Sequence, residues 1–354
     1  MASVGLAGTA ALAAAAVCLG SGCSTLGYYG QALQGHLDLM HRARPVSDWL
    51  AEPATPPHLR ERLALTQRLR DFASRELFLP DNRSYRAYAD LQRAAAVWNV
   101  VAAPELSLTL KTWCFPVMGC VGYRGYFDRA AAQALGERLQ AEGLEVSVYG
   151  VPAYSSLGWS NWIGGDPLLN TFIDWPEGEL ARLIFHELAH QVAYAADDTT
   201  FNESFATAVE RLGGERWLAD RPLARAELAR IDERRAEFRA LMQAQRERLL
   251  ALYAGPLDEA AKRARKAELM AAWRAEYAQF KAQHWDGYAG YDGVVARANN
   301  ASFGVQAAYN ELVPAFERLF AREGGDFKRF YAEVQRLAAL PKAERRATLD
   351  SLVR

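Results

Sequence analysis

Five residues near the middle of the chain, His186-Glu187-Leu188-Ala189-His190, combine two imidazoles with a carboxylate. On an α-helix, residues four apart lie on the same face, one turn apart, so both imidazoles can reach one ion. Zn²⁺ accepts nitrogen ligands and, in a catalytic site, takes three ligands from the protein. Glu187 is placed to accept a proton from water at such a metal. The spacing therefore predicts a hydrolytic zinc site.

The elements that must hold these side chains follow from the flanking sequence. Residues 180–194 contain no Gly or Pro and predict a half-buried helix through both histidines to Tyr194. Pro176 and its acidic neighbours suit the first turn of this helix. A second helix is expected from Glu203, ending at Gly213-Gly214, and would run antiparallel to the first.

Glu203 is the candidate third ligand, which would complete a His₂Glu set. An alternative stays open, because Thr200-x-x-Glu203 also matches a capping box in which the glutamate serves only its own helix start. Glu210 lies two turns further along the same face. It is either an outer partner that orients a ligand imidazole or a solvated surface residue.

The stretch HELAH followed by FNESFA resembles the glutamate-ligated zinc metallopeptidases. The short gap between His190 and Glu203 is similar to that of a family of bacterial lipoproteins described as predicted aminopeptidases. Further segments share this likeness, which covers nearly the whole chain: 122–127, 153–159 and 299–301. The resemblance implies a zincin-like fold, Zn²⁺ as cofactor and peptides as substrates.

The attack of water on a peptide carbonyl also needs a donor for the developing oxyanion. Tyr154 and Tyr309 are the candidates, with Tyr194 as a third possibility, although each could equally be a packed core tyrosine. Residues 154–159 could form an edge strand that takes an extended peptide, or an ordinary aromatic strand or loop. A carboxylate for the substrate amine could come from Glu210, Asp166 or Glu177.

The first 22 residues predict a signal peptide. Residues 4–19 are nearly all Ala, Leu, Val and Gly, too short for a comfortable membrane span, and small residues precede Cys23. This resembles a lipobox, in which the cysteine is acylated and anchors the protein. Ser24 resembles the outer-membrane sorting pattern, so we expect a lipid-anchored protein of the cell envelope facing the periplasm. An ordinary cleaved signal is the alternative.

Cysteine usage fits an oxidising compartment. Removal of the signal leaves Cys23, Cys114 and Cys120, and acylation of the first leaves one pair separated by five residues. A disulfide-closed loop is expected, and two buried thiols are the alternative.

Composition limits the partners. The chain has 354 residues and a net charge of −1, with 41 basic and 42 acidic residues. Nothing in this balance favours nucleic acid or an anionic membrane surface as the main partner.

The coarse pattern predicts a helix-rich α+β fold with a mixed sheet before the metal helix. Strands are expected at 97–102, 107–110, 121–127 and 145–149, and helices at 28–43, 59–77 and 129–142. Residues 216–285 predict a long helical hairpin with a charged outer face, inserted into one catalytic unit spanning 23–354. A helical, amphipathic tail follows from 326 to 354.

Two classes of function remain in competition at this point. One is a zinc metallopeptidase, favoured as an aminopeptidase, with Glu187 as general base. The other is a catalytically silent envelope lipoprotein whose zincin fold acts as a scaffold or binding module. A hydrolase of non-peptide amides is a narrower third class. Side-chain preference, exo- or endo-cleavage, physiological substrate and oligomeric state stay open.

Overall fold

The computed structural model describes residues 23–115, 119–153, 165–196, 198–305 and 312–353. Helices dominate, and short strands form small sheets, so the fold is helix-rich α+β. The helices are α1 Cys23–Arg42, α2 Val46–Ala51, α3 Pro57–Arg75, α4 Arg129–Ala141, α5 Glu177–Ala189, α6 Thr199–Trp217, α7 Pro222–Ala254, α8 Glu259–His284, α9 Asp292–Arg297, α10 Asn300–Val305, α11 Val313–Arg322, α12 Phe327–Ala338 and α13 Lys342–Val353. The strands are β1 Arg44–Pro45, β2 Ala87–Ala89, β3 Val97–Pro104, β4 Trp113–Phe115, β5 Gly119–Val121, β6 Arg124–Tyr126, β7 Leu144–Val151 and β8 Leu168–Leu169.

The main sheet has the order β6-β3-β7, and all its pairs are antiparallel. Val100, in the middle of β3, pairs with Val148 on one side and Arg124 on the other. Helix α4 covers one face, where Val100 and Val146 pack with Leu135 and Leu139. The β-branched residues in these strands suit a pleated, half-buried surface.

Two smaller sheets complete the strand content of the described residues. One has the order β1-β2-β8 and mixes an antiparallel with a parallel pair. The other is the antiparallel pair β4–β5, which a disulfide between Cys114 and Cys120 crosses.

The expected strand at 107–110 does not form. Residues 107–110 are an irregular segment, in which Thr109 N–H donates to Ser107 Oγ at 3.1 Å. Such local bonding offers the backbone an alternative to a strand ladder. Leu108 and Leu110 still pack inward, and Leu110 lies against Gly304 of α10. The alternating pattern therefore indicates which side chains point inward, but the strand that it predicted is wrong.

The largest core surrounds α5 and α6. It includes large side chains of α3, α5, α6, α11 and α12, all at most 1% exposed: Leu69, Phe185, Phe205, Phe316 and Phe330. A second core lies between α7, α8, α9 and α10 and centres on Trp273 and Phe303. The tail is helical as expected, but it is two helices, because Pro341 interrupts it between α12 and α13.

The segment Asn299-Asn300-Ala301 joins this second core to the main sheet. Asn299 Nδ2 donates to Val146 O at 2.8 Å, and Asn300 Nδ2 donates to Pro104 O at 3.0 Å and Glu105 O at 2.7 Å. Both amides therefore satisfy backbone carbonyls at the ends of β3 and β7, which gives this motif a structural role. Among the described residues, no helix is long and apolar enough to cross a membrane.

Candidate metal centre

Helix α5 carries the first part of the centre. It begins after Pro176, has Glu177 and Glu179 in its first turn, and buries an apolar face. The face consists of Leu180, Ala181, Ile184, Phe185, Leu188 and Ala189. The helix ends at Ala189, so His190 is its C-cap, and the expected continuation to Tyr194 is wrong. Gln191 instead contacts Asn82 and Ser84 through its side chain. The early end frees the chain to turn back within a short loop.

Helix α6 carries the second part. Its N-cap is Asp198, whose carboxylate accepts from Phe201 N–H at 3.1 Å. Thr200 therefore lies inside the helix, and the capping-box alternative for Glu203 is wrong. The helix also continues through Gly213 and Gly214 to Trp217 rather than stopping there.

The two glycines allow α6 to approach α5 closely. A Cβ at Gly213 would lie 3.0 Å from Phe185, and one at Gly214 would lie 3.1 Å from Arg182, both on α5. Close packing thus outweighs the cost of about 1 kcal/mol that glycine carries in a helix interior.

Asn202 closes the loop between the two helices. Its Oδ1 accepts from Ala195 N–H at 2.8 Å, and its Nδ2 donates to Ala195 O at 2.8 Å. Asn202 is 3% exposed, so both bonds form away from water. This paired contact fixes the position of Glu203, the next residue.

The three predicted ligand side chains converge on one point. His186 Nε2 lies 3.2 Å from His190 Nε2 and 3.4 Å from Glu203 Oε2, and His190 Nε2 lies 3.8 Å from Glu203 Oε1. The donor atoms all lie within 4.8 Å of one another. With zinc–ligand distances of about 2.0–2.1 Å, neighbouring ligand atoms of a tetrahedron are about 3.3 Å apart. The three side chains could therefore hold one metal ion, and their spacing is compatible with tetrahedral ligation.

Glu210 lies behind His186. Its Oε2 is 2.8 Å from His186 Nδ1, and the carboxylate accepts the hydrogen that this nitrogen carries. The bond leaves Nε2 of His186 as the nitrogen that faces His190 and Glu203. Glu210 is thus bound to the His186 ring rather than being a solvated surface residue.

Burial and charge set the protonation of the two histidines in opposite directions. Burial opposes a charged His186, but hydrogen bonds to Glu203 and Glu210 outweigh it and raise its pKa to about 10. Burial and the neighbouring charge of His186 lower the pKa of His190 to about 4. Burial raises the pKa of Glu203, yet the hydrogen bond from His186 and the charges of His186 and His190 together leave it below its usual value. Without metal, these shifts favour a charged His186, whose two ring nitrogens each face a carboxylate, and a neutral His190.

The N-terminus of α6 is held by the last helix of the chain. Asp198 Oδ2 lies 3.0 Å from Arg345 Nη1, and Asp198 Oδ1 lies 2.8 Å from Arg346 Nη2. The Asp198 and Arg345 side chains are 1% and 2% exposed. We call these three residues the Asp198 cluster. Burial raises the pKa of Asp198, but the hydrogen bonds from Arg346 and Phe201 and the nearby positive charges together outweigh burial and hold that pKa below its usual value.

The other predicted site residues have varied positions. Glu187 is half-buried on α5 beside the first ligand. Tyr154, Tyr309 and the segment 154–159 lie outside the described residues, and the structure does not describe the Cys23 side chain. Tyr194 is 53% exposed.

Two of the three carboxylates considered for a substrate amine already bind other side chains. Glu210 binds His186, and Glu177 accepts from Trp217 Nε1 at 2.8 Å. Asp166 is buried, and its backbone O and N–H contact Tyr85 and Ser84.

Sequence reasoning did not identify Tyr123. This half-buried phenol packs beside Tyr149 near the metal triad, and its pKa is raised by burial and by the Glu203 charge. Its segment, 122–127, stood out only by resemblance, since a tyrosine next to a strand gives no signal of its own.

Comparison with known families identifies the family of the chain. The family model described as "Putative aminopeptidase" matches residues 27–349, which is most of the chain and includes every ligand candidate. Neither the comparison with curated proteins nor that with solved structures finds a match. Because the family model covers far more than half of the sequence, the chain belongs to the family described as "Putative aminopeptidase".

Proposed function

We propose that this protein is a zinc-dependent aminopeptidase with a zincin-like catalytic unit. The observation that carries the proposal is the convergence of His186, His190 and Glu203, with Glu187 beside the first of them. Membership of an aminopeptidase family supports peptide substrates. When bound, zinc supplies Lewis acidity, which acidifies water and polarises a carbonyl.

The residues of the chain divide the remaining work. The two Nε2 atoms and the Glu203 carboxylate would hold the ion, and Glu210 orients the His186 ring through Nδ1. Glu187 accepts a proton from the attacking water and returns it to the leaving amine. A scaffold would not need a base at this position, so Glu187 favours an enzyme over a binding module.

We also propose that Cys23 carries a lipid anchor and that the enzyme faces the periplasm from the outer membrane. The small residues before Cys23 and the disulfide between Cys114 and Cys120 support an envelope location.

The decisive experiment measures metal content and hydrolysis on the same preparations. The full chain, expressed with its own N-terminal segment, is compared with Glu187→Gln and with the matched control Glu215→Gln, an exposed glutamate on α6. Substrates are free aminoacyl amides and their N-acetylated counterparts. We expect about one zinc per chain in all three proteins and loss of turnover by at least about 10²-fold only in Glu187→Gln.

Each other outcome contradicts a defined part of the proposal. Equal turnover of N-acetylated substrates would contradict aminopeptidase action while leaving a peptidase. Zinc without turnover of either substrate would favour the scaffold, and a parent protein without bound zinc would refute the metal centre.

A further inference from the structure

Helix α1 has two faces with opposite surroundings. One face packs on the main sheet: the Tyr28 ring lies 5.6 Å from the Tyr126 ring, and Gln31 Nε2 donates to Gly125 O at 3.4 Å. Gly35 fits against Phe127 so closely that a Cβ there would lie 2.1 Å from the Phe127 ring. This face therefore holds α1 in a fixed orientation.

The opposite face of α1 is exposed and carries two leucines, with Gln34 as a polar neighbour. Leu33 and Leu37 are 61% and 54% exposed, and a Cβ at Gly30 would meet nothing within 4 Å. With 3.6 residues per turn, positions 30, 33 and 37 lie together about half a turn from Tyr28 and Gly35. Single exposed leucines are ordinary on a protein surface. Two leucines aligned on one side of a fixed helix instead indicate a site that contacts a partner.

The composition of α1 points to the occupant. From Cys23 to Leu37 the chain has no Asp, Glu, Lys or Arg, although these residues make up 23% of the sequence. A solvated helix face normally carries such charges. The first charged residue is Asp38, which pairs with Arg42 at 3.0 Å and leaves the helix without a local excess of charge. The face is therefore suited to an apolar partner rather than to a charged one.

The position of the proposed anchor favours a lipid surface over a protein. Helix α1 begins at Cys23, and the helical period puts position 23 on the same side as positions 30 and 37. At 1.5 Å per residue, position 37 lies about 21 Å along the helix from the anchor. We propose that the outward face of α1, with Leu33 and Leu37, lies along the bilayer surface next to the acylated cysteine. This inference rests on the proposed anchor and is independent of the peptidase activity.

Such contact adds a second attachment to the lipid and fixes how the catalytic unit is presented. Amphipathic helices in the interface insert their apolar face about 5–10 Å into the boundary between headgroups and acyl chains. An anchor alone would let the protein rotate freely above the membrane. A helix held on both faces, by Tyr126 and Phe127 on one and lipid on the other, would set one orientation.

The test reads the lipid environment at single positions. The full chain with its own N-terminal segment is extracted from membranes and reconstituted into phosphatidylethanolamine–phosphatidylglycerol vesicles. A fluorophore is attached at Leu33→Cys, at Leu37→Cys, or at the control Leu223→Cys, which is 87% exposed on α7. Cys114 and Cys120 are disulfide-bonded and do not compete for the label. We expect headgroup-attached nitroxide to quench the labels at 33 and 37 at least about twofold and to leave the label at 223 unchanged.

Each outcome has a distinct meaning. Vesicle-bound protein with labels at 33 and 37 quenched no more than the label at 223 would overturn the inference and leave the anchor intact. Protein that does not float with vesicles would refute the anchor and the membrane-lying helix together. Hydrolysis by the same preparations is measured separately, so failure of the peptidase proposal is recognised independently. Because Leu33 and Leu37 lie outside the cores, the substitutions leave folding unchanged, which circular dichroism verifies.

Discussion

Two antiparallel helix pairs of this protein are built on opposite principles. In the ligand pair, α5 and α6, ten of the nineteen α6 residues are buried, and the connecting loop is closed by Asn202. In the hairpin, α7 and α8, only five of the thirty-three α7 residues are buried. Ion pairs such as Arg248–Glu276 lie on its exposed surface. The ligand pair is thus held on many sides, while the hairpin is held mainly along one.

The difference reflects what each pair must position. A metal centre needs its donor atoms held within about 0.5 Å, so its helices need contacts beyond the ligands themselves. The hairpin only has to keep one apolar side packed around Trp273. The two pairs meet where Arg182 binds Asp232 at 2.7 Å and Arg235 binds Glu179. Matched substitutions in the two pairs can therefore separate positioning from ordinary helix stability.

The largest expected effect is loss of the third ligand. Glu203→Gln removes the carboxylate that faces both histidines, whereas Glu268→Gln changes an exposed glutamate of α8. We expect zinc affinity to fall in Glu203→Gln by more than the roughly 10–100-fold that loss of an outer partner costs. Competition with a chelating dye measures it. Unchanged affinity in Glu203→Gln would show that Glu203 is not a ligand.

A second matched comparison uses the helix N-caps. Asp198 caps α6 and faces two arginines, whereas Asp258 caps α8 on the surface, where its carboxylate accepts from Ala261 N–H at 2.8 Å. Asp198→Ala should lower the free energy of unfolding by about 3–5 kcal/mol, because it removes the carboxylate facing the buried Arg345. Asp258→Ala should cost only about 1 kcal/mol. Urea unfolding of metal-free protein measures both, and equal losses would contradict the contrast between the pairs.

Short-range patterns made much of the ligand pair predictable. The four-residue spacing of His186 and His190 and the downstream Glu203 were enough to predict the convergence that the structure contains. Wrong boundaries have a common cause, since each depends on contacts distant in sequence. Gly213 continues a helix because Phe185 packs against it, and α5 ends early, where Gln191 binds Asn82.

The Asp198 cluster shows the same limit more clearly. Asp198 and Arg345 are separated by 147 positions, and no local pattern pairs them. The hairpin, in contrast, is predictable from composition and periodicity alone, because its two helices are consecutive in the sequence and pack against each other. Local rules thus predict the hairpin best and the supports of the metal centre least.

A smaller effect is expected from the outer partner of the first ligand. Glu210→Gln keeps the shape but loses the charge that faces His186 Nδ1, and Glu276→Gln is the matched change on α8. Zinc affinity should fall by about 10–100-fold in Glu210→Gln and stay unchanged in Glu276→Gln. Isothermal titration with zinc measures both constants. A solvated role for Glu210 would instead give two variants that bind zinc like the parent.

The smallest expected effect is a pH dependence of the free energy of unfolding in the acid range. It comes from the Asp198 cluster. The pKa of Asp198 is lowered in the folded protein, because the hydrogen bonds from Arg346 and Phe201 and the nearby positive charges together outweigh burial, whereas an unfolded aspartate titrates near about 3.9. Its stabilising contribution is therefore complete above about pH 3.9 and is lost as the pH falls through the lower folded pKa. The difference in unfolding free energy between the parent and Asp198→Ala should shrink below that pH by at most about 1.4 kcal/mol per pH unit.

Urea titrations of metal-free protein between pH 6 and pH 2.5 follow this difference, and working without metal keeps the histidine ligands out of the comparison between variants. A difference that stays constant over the whole range would mean that the folded and unfolded pKa of Asp198 are equal, and the support of α6 by α13 would then be steric rather than ionic.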